Sequence, residues 1–376
     1  MKNILFITHY SNLYGANKSL INLIDGLKKY DIDPYVVIPG EGKIEKSLTE
    51  RRIKYKILPV PGWISGKPAS NYRKRRTIQK LIEASRDYKK IIKDWFIDII
   101  YTNSSVSPIG RLVAFQTGKP HIWHIREFLD LDYQQIFIFP RWLSLKFISS
   151  SKSIICNSIA VRDHFFDKKT KKVKVVYNGV ASEKQFNSYK QVWSLNNSFE
   201  EFVFSIVGTL YAQKNQHVAI KAVADLIKRG HKVRLIIAGD GRDEYRNYCE
   251  DLTNQLGVKE NVEFTGYVDD PYDIYQRSNC LLVCSEFEAM GRVTVEAMSA
   301  CLPILAKNSG GTPEIMVHEN TGFLYENYDE LVDYMEKLVN NPPLARKMGL
   351  QGWDYAKDRF TIEKYTRNIY DVVRSL

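Results

Sequence analysis

Short apolar runs alternate with amphipathic stretches along this 376-residue chain, and the alternation restarts near its middle. In the first half, Ile4 to Thr8, Tyr35 to Ile38, Lys56 to Val60, Asp98 to Tyr101, His121 to His124, Ser153 to Asn157 and Lys174 to Tyr177 have the length and composition of buried strands. Between them, Leu20, Ile21, Ile24 and Leu27 share one face of a helix over 18–29, and further helices are predicted over 77–95 and 108–117. In the second half Val203 to Val207, Val233 to Ala238, Val262 to Phe264, Cys280 to Cys284 and Pro303 to Ala306 are strands, with helices over 215–228, 331–339, 343–358 and 361–375. Strand and helix in regular succession imply parallel sheets covered on both faces. The expected fold is therefore α/β, two doubly wound Rossmann-like domains with ligands in the cleft between their carboxyl edges.

The length agrees, since a chain of this size suits two cores of roughly 180 residues each. Asn178-Gly179 is the expected hinge between domains 1–178 and 179–358, followed by a polar linker from Ser182 to Asn197. Gly62 to Arg76 interrupts the rhythm and is expected to be an exposed basic loop. The five cysteines are not in Cys-x-x-Cys or metal-ligand spacing and read as reduced residues of a cytoplasmic protein. No run reaches the length of a membrane-spanning helix, and the first residues lack a signal-peptide cleavage site.

The stretch from Ser285 to Glu314 carries the densest chemistry. Glu288 falls in the loop after the strand 280–284 and Glu296 in the helix that follows, with seven residues between them. One carboxylate would reach the reacting end of a ligand and the other a more distant hydroxyl, beside backbone N–H groups that attract phosphate. This stretch, with Gly291, Glu296-Ala297-Met298 and Gly310-Gly311-Thr312-Pro313-Glu314, resembles the Glu-x7-Glu signature of retaining, nucleotide-sugar-dependent glycosyltransferases of the GT-B fold, glycosyltransferase family 4. The resemblance is dense from Val207 to Gly322 and loose before that. It also implies that the last helix, within 359–376, crosses back to the first domain.

The resemblance implies a role for each matching residue. Glu296 would bind the ribose hydroxyls, and Glu288 would meet the donor sugar beside the backbone of Met290, Gly291 and Arg292. Lys214 would hold the diphosphate as the glycosidic bond breaks. The family usually has arginine where this chain has Thr209, and Arg292 is a hypothetical replacement for that cation. Gly239, in Gly239-Asp240-Gly241, would bring backbone to the base or phosphate, and Gly15 would let the first loop approach the diphosphate or the acceptor, although the family often has two glycines there. His124 resembles the family's donor-sugar-contacting histidine, so Glu288, His124 and Lys214 form the expected catalytic set. Arg126 and Glu127, which follow His124, would pair with each other or contact an acceptor, and Asn103 is an acceptor-side candidate by its position at a strand end alone. Asp130-Leu131-Asp132 and Asp269-Asp270 lie off the nucleotide loops and are declined as metal sites; the family generally needs no metal, and no cofactor is expected beyond the donor, with a UDP-sugar favoured over a GDP-sugar.

Residues 1–187 carry a net charge of +17 and residues 188–376 carry −6. No nucleic-acid module accompanies the basic half. The resemblance suggests instead an anionic membrane surface, contacted through Arg73 to Arg76, Trp63 and Ile136 to Phe147, and a saccharide or polyprenyl-linked saccharide acceptor. The expected activity is retaining transfer of a sugar with formation of an α-linkage, in bacterial surface-polysaccharide assembly. The alternatives are a GT-B sugar-nucleotide epimerase and a non-catalytic relative that binds nucleotide sugar.

Overall fold

The computed structural model describes residues 1–168, 170–195 and 201–376. They form two compact units: Met1–Gly179 with Ile362–Leu376, and Val180–Thr361.

The strands of the first unit are β1 (Lys2–Ile7), β2 (Ile32–Ile38), β3 (Lys54–Ile57), β4 (Ile64–Ser65), β5 (Ile99–Thr102), β6 (His121–Ile125), β7 (Ile136–Phe137), β8 (Ser153–Cys156) and β9 (Val173–Val175). Seven make a parallel sheet in the order β3-β2-β1-β5-β6-β8-β9, and β4 pairs with β7 as a small antiparallel ribbon. The second unit contains β10 (Phe202–Val207), β11 (Val233–Ala238), β12 (Val262–Gly266), β13 (Cys280–Val283), β14 (Ile304–Lys307) and β15 (Gly322–Tyr325). Its sheet order is β12-β11-β10-β13-β14-β15, with every pair parallel. Both sheets grow outward from the first strand in one direction and then in the other. The reversal lies between β1 and β5 in one unit and between β10 and β13 in the other, and loops leaving the carboxyl ends on either side of such a point diverge and leave a crevice.

The period-two alternation of a strand explains the two core layers. Ile4 and Phe6 of β1 pack with Leu20, Leu23 and Leu27 of the helix Gly15–Leu27, whereas Leu5 and Ile7 pack with Leu81 and Tyr88 of the helix Asn71–Asp94. In the second unit Phe204 and Leu235 pack with Ala219, Ile220 and Val223 of the helix Gln216–Lys228. Burying each such large side chain contributes about 1.5–3 kcal/mol.

Three stretches differ from the sequence-based expectation. The segment expected as a basic loop through Arg76 is already helical from Asn71, because the Ser70 hydroxyl accepts from the Arg73 backbone N–H at 3.2 Å and caps the first turn. Arg73 to Arg76 therefore lie on a helix. The expected linker after Ser182 is a helix, Glu183–Leu195, whose start is closed by Ser182 and Gln185: the Gln185 carboxamide oxygen accepts from the Ser182 N–H at 2.9 Å, and the Ser182 hydroxyl from the Gln185 N–H at 3.2 Å. Phe186 in this helix is fully buried against Trp353; the end of the expected linker, at Asn196 and Asn197, lies outside the described residues. Trp63 is also interior, stacked on Trp123 at 5.9 Å and donating to the Ser105 carbonyl at 2.7 Å.

The helix Ile362–Arg374 returns to the first unit and buries Tyr365, Ile369, Val372 and Val373 there. It lies so close to the helix Gly15–Leu27 that a Cβ at Gly26 would fall 2.0 Å from the Thr366 hydroxyl oxygen. Gly26→Ala should lower stability by about 1–3 kcal/mol through overpacking. Thermal melting checks this, and an unchanged melting temperature would contradict the packing described.

Candidate functional site

In the second unit the loops that leave β10 and β13 meet at the reversal of strand order. Asn215 adopts a left-handed conformation (φ 54°), which asparagine tolerates better than most residues, and its Nδ2 donates to the Cys284 carbonyl at 3.0 Å. The Glu286 N–H donates to the Gln213 carbonyl at 3.3 Å. These contacts tie the two loops together and bring Lys214 to Glu288, with Nζ 2.5 Å from Oε1. The Ser285 hydroxyl donates to the same oxygen at 2.6 Å.

A third loop supports this arrangement from behind. The Gly311 N–H donates to the Glu288 carbonyl at 2.7 Å, and Gly310 (φ 56°) passes so near that a Cβ there would sit 2.5 Å from that carbonyl oxygen. Gly291 takes a left-handed conformation (φ 76°) at the start of the helix Arg292–Ser299, so the chain turns sharply from Met290, which is buried, into the helix. Glu296 lies one turn further on. Its Oε1 accepts from Arg292 at 2.8 Å and its Oε2 from the buried Tyr275 hydroxyl at 3.3 Å.

Arg292 thus carries a carboxylate partner of its own. Thr209 is exposed, and its carbonyl accepts from Gln216 Nε2 at 3.0 Å. Gly239 packs against the same loop: a Cβ there would meet the Gly208 carbonyl oxygen at 1.9 Å, and only glycine allows this approach. Ser285, Asn215 and Tyr275 are partners that the sequence reading did not single out. Ser285 stood inside the stretch already selected, three residues before Glu288. Tyr275 carried no local signal, because its contact with Glu296 joins two different helices.

In the first unit the loops after β1, β5 and β6 converge at the corresponding reversal. Gly15 opens its helix and is exposed, and the first-turn N–H groups of Ala16 and Asn17 donate to the Tyr10 hydroxyl at 3.1 and 3.3 Å. Asn17 holds the loop from inside, donating to the carbonyls of Tyr10 and Asn12 at 2.8 and 2.7 Å. The helix N-terminus beside Gly15 is thus capped by the protein's own tyrosine, and burial pushes that phenol up to about 12.

His124 lies within β6 rather than at its end and is fully buried. Its Nδ1 is 2.5 Å from the Tyr101 hydroxyl and its Nε2 is buried with no hydrogen-bond partner. Burial, and then the neighbouring Arg126 charge, hold its pKa well below the usual histidine range, so the ring is neutral. Arg126 is buried too, donating to Asn103 Oδ1 at 2.8 Å, to the Tyr365 hydroxyl at 2.8 Å and to Asn178 Oδ1. Glu127 Oε1 accepts from the Ser104 hydroxyl (2.8 Å), the Ser105 N–H (2.5 Å) and the Ser105 hydroxyl (2.6 Å). The three acceptor-side candidates therefore form an internal polar network that fixes the loops, rather than a set of open side chains.

Among the described residues no cluster of His, Cys, Asp or Glu is arranged to hold a metal ion. Asp130 instead pairs with His164 at 2.7 Å and with Arg141 at 3.3 Å, and Asp132 accepts from the Phe128 N–H at 2.9 Å.

His121, three residues before His124 in the same strand, is clamped between Thr102 and Ser151 at 2.8 and 2.9 Å, and burial followed by the Arg111 charge lowers its pKa to about 3. The folded state keeps this ring neutral, whereas an unfolded chain protonates it below about 6.5. Its contribution is complete above that pH and is lost as pH falls from about 6.5 towards 3, by about 1.4 kcal/mol per pH unit. His121→Asn should reduce the acid sensitivity of unfolding over this window; parallel denaturation curves at pH 7 and pH 5 provide the check, and an unchanged pH slope would refute the assignment.

Comparison with known proteins agrees with this architecture. Residues 188–353 match the family described as "Glycosyl transferases group 1" and residues 14–184 match "Glycosyltransferase Family 4". The chain is similar to an uncharacterized glycosyltransferase, MJ1607, of Methanocaldococcus jannaschii: 32% identity over 293 residues, spanning 71% of this chain and 68% of the relative. It is also similar to the UDP-Gal:alpha-D-GlcNAc-diphosphoundecaprenol alpha-1,3-galactosyltransferase of Escherichia coli, at 24% identity over 89% of this chain and 90% of that one. The capsular polysaccharide biosynthesis glycosyltransferase CapM of Staphylococcus aureus is 26% identical, over 67% and 70% of the two chains. Among solved structures, Anabaena HepE in complex with UDP and glucose has a TM-score of 0.81 and 20% identity, covering both chains completely. The chain belongs to the family 4 glycosyltransferases, and its two Rossmann-like units are those of the GT-B fold.

Proposed function

We propose that this glycosyltransferase takes a sugar from a nucleotide diphosphate donor and places it, with retention and hence through an α-linkage, on a saccharide or polyprenyl-linked saccharide acceptor during cell-surface polysaccharide assembly. The observation that carries this reading is the meeting of Lys214 and Glu288 at the reversal of strand order, with Glu296 fixed one helical turn beyond Gly291. An ammonium at that edge stabilises charge that builds on a departing diphosphate. Glu296, oriented through both oxygens by Arg292 and Tyr275, keeps lone pairs for two ribose hydroxyls.

Transfer proceeds on one face of the sugar. The leaving phosphate accepts the acceptor proton while Lys214 holds the phosphate, and Glu288 acts by position and charge rather than as a covalent nucleophile. His124 serves as a neutral hydrogen-bonding group through Nε2, the ring nitrogen that Tyr101 does not occupy, once that atom is uncovered. A UDP-sugar is the favoured donor, supported by the UDP-galactose donor named for the Escherichia coli relative, whose stated acceptor is a diphosphoundecaprenol-linked sugar. A thermal-shift screen against UDP, GDP and their sugars tests the reading: a ligand at 100 times its Kd should stabilise the fold by about 2.7 kcal/mol, and Lys214→Ala should remove most of that shift. A wild-type chain whose melting temperature responds to none of these ligands would sink the donor assignment.

The same enzyme is proposed to work at an anionic membrane surface. No described helix is long and apolar enough to cross a membrane. Trp63, Phe137 and Ile138 are interior, and two exposed places on the first unit carry the proposed contact. One is the outer row of the helix Asn71–Asp94, where Tyr72, Ile78 and Ile82 are exposed among Arg75 and Arg86. The other is Trp142 with Leu143, in the helix Arg141–Ser149. Exposed apolar side chains set among cations suit an interface of acyl chains and anionic headgroups. The chain should co-sediment with phosphatidylglycerol vesicles at low salt and lose most of this binding when Arg73, Arg75 and Arg76 are replaced by serine; equal recovery with neutral vesicles would count against it.

A further inference from the structure

The cation that a diphosphate requires is already occupied by an anion of the protein. The cationic side chains of the loop segments 208–215 and 284–292 are Lys214 and Arg292. Arg292 donates to Glu296 at 2.8 Å, and no cation stands at Thr209. Lys214 is 2.5 Å from Glu288, and the side chains of the pair are 31% and 13% exposed, so screening by solvent is incomplete. A diphosphate reaching Lys214 would bring its charge against the Glu288 carboxylate. Two anions on one ammonium repel each other, so the ligand and Glu288 compete for it.

Glu288 is tethered independently of Lys214. Ser285 is 5% exposed and follows Cys284, whose carbonyl is held by Asn215, so its hydroxyl stands on the rigid edge of the sheet. It donates to Oε1 at 2.6 Å, the same oxygen that meets the ammonium, and the second oxygen is spent on neither contact.

We propose that Lys214 is exchanged between two anions, Glu288 in the empty site and the donor's diphosphate in the occupied one, while Ser285 keeps the released carboxylate in place for the donor's sugar. The proposal rests on the nucleotide-sugar reading above. Ser285 is then a positioning residue, acting through Glu288. Exchange links the two parts of the donor, because the contact that captures the phosphate also frees the carboxylate that meets the sugar. A nucleoside diphosphate without sugar bears the cost of breaking the pair and gains nothing from the freed carboxylate.

Calorimetric titration with UDP, or with GDP if UDP gives no heat, separates this from a simple ligand role for Glu288. Glu288→Gln keeps shape and removes the competing charge, so it should bind the sugar-free nucleotide tighter by about three- to tenfold. Glu288→Asp, which draws the carboxylate back from the ammonium, should change affinity in the same direction and supplies a second reading if the glutamine variant folds poorly. Ser285→Ala should leave affinity for the sugar-free nucleotide within about twofold but lose the added affinity that the best nucleotide sugar has over it, and Ser285→Thr should restore that difference. Folded Glu288 variants that bind the sugar-free nucleotide no better than wild type would overturn the exchange, and an unchanged sugar increment in Ser285→Ala would overturn the positioning role. A folded wild-type chain that binds neither nucleotide would overturn the donor reading itself, and the exchange with it.

Discussion

A parallel sheet buried on both faces leaves its chain little freedom about where to put polar chemistry. Each strand must be followed by a crossover, and the interior has no place for an unpaired polar backbone. The loops that leave the strands therefore all gather at the carboxyl edge, and the reversal in strand order opens a crevice among them. Both units obey this constraint with the same order of strands. In the second it places Lys214 and Glu288 on facing loops, although 74 positions separate them in sequence.

The two edges use that opportunity differently. At the edge of the second unit, carboxylates and cations remain partly accessible and are paired with one another. In the first unit the corresponding loops are closed over a buried network, in which Arg126 joins Asn103, Asn178 and Tyr365. A guanidinium taken out of water needs such partners, because each unsatisfied donor would retain its desolvation cost. Two of these partners, Asn178 and Tyr365, flank the points at which the chain leaves and re-enters the first unit. One buried cation thus fixes the loop after β6 and both ends of that excursion.

Much of this was legible in the chain itself. Runs such as Cys280 to Val283 showed buried strands, because a strand covered on both faces is apolar along its length. The glycines at 291 and 310 marked turns that other residues enter with strain, and the acidic pair at 288 and 296 drew attention through its spacing and its family resemblance. Short β4 and β7 and the strand β15 were not anticipated. The first turns of the helix Asn71–Asp94 and the helix Glu183–Leu195 were obscured as well, since Ser70 and Ser182 act as helix caps within stretches whose composition reads as loop.

The sequence by itself determined the two parallel sheets, the edge at which function gathers and the residue types available there, because periodicity and glycine placement act over a few neighbouring residues. Only the tertiary structure decided which charges stay available. Composition did not distinguish Arg126, enclosed by three partners, from Lys214, which shares one carboxylate oxygen with Ser285. Nor did it show that Tyr275 would reach Glu296 from another helix, or that Tyr365 would return to Arg126. The availability of a charged group depends on desolvation and on partners brought together by the crossing of distant strands, and neither is written in the spacing of adjacent residues.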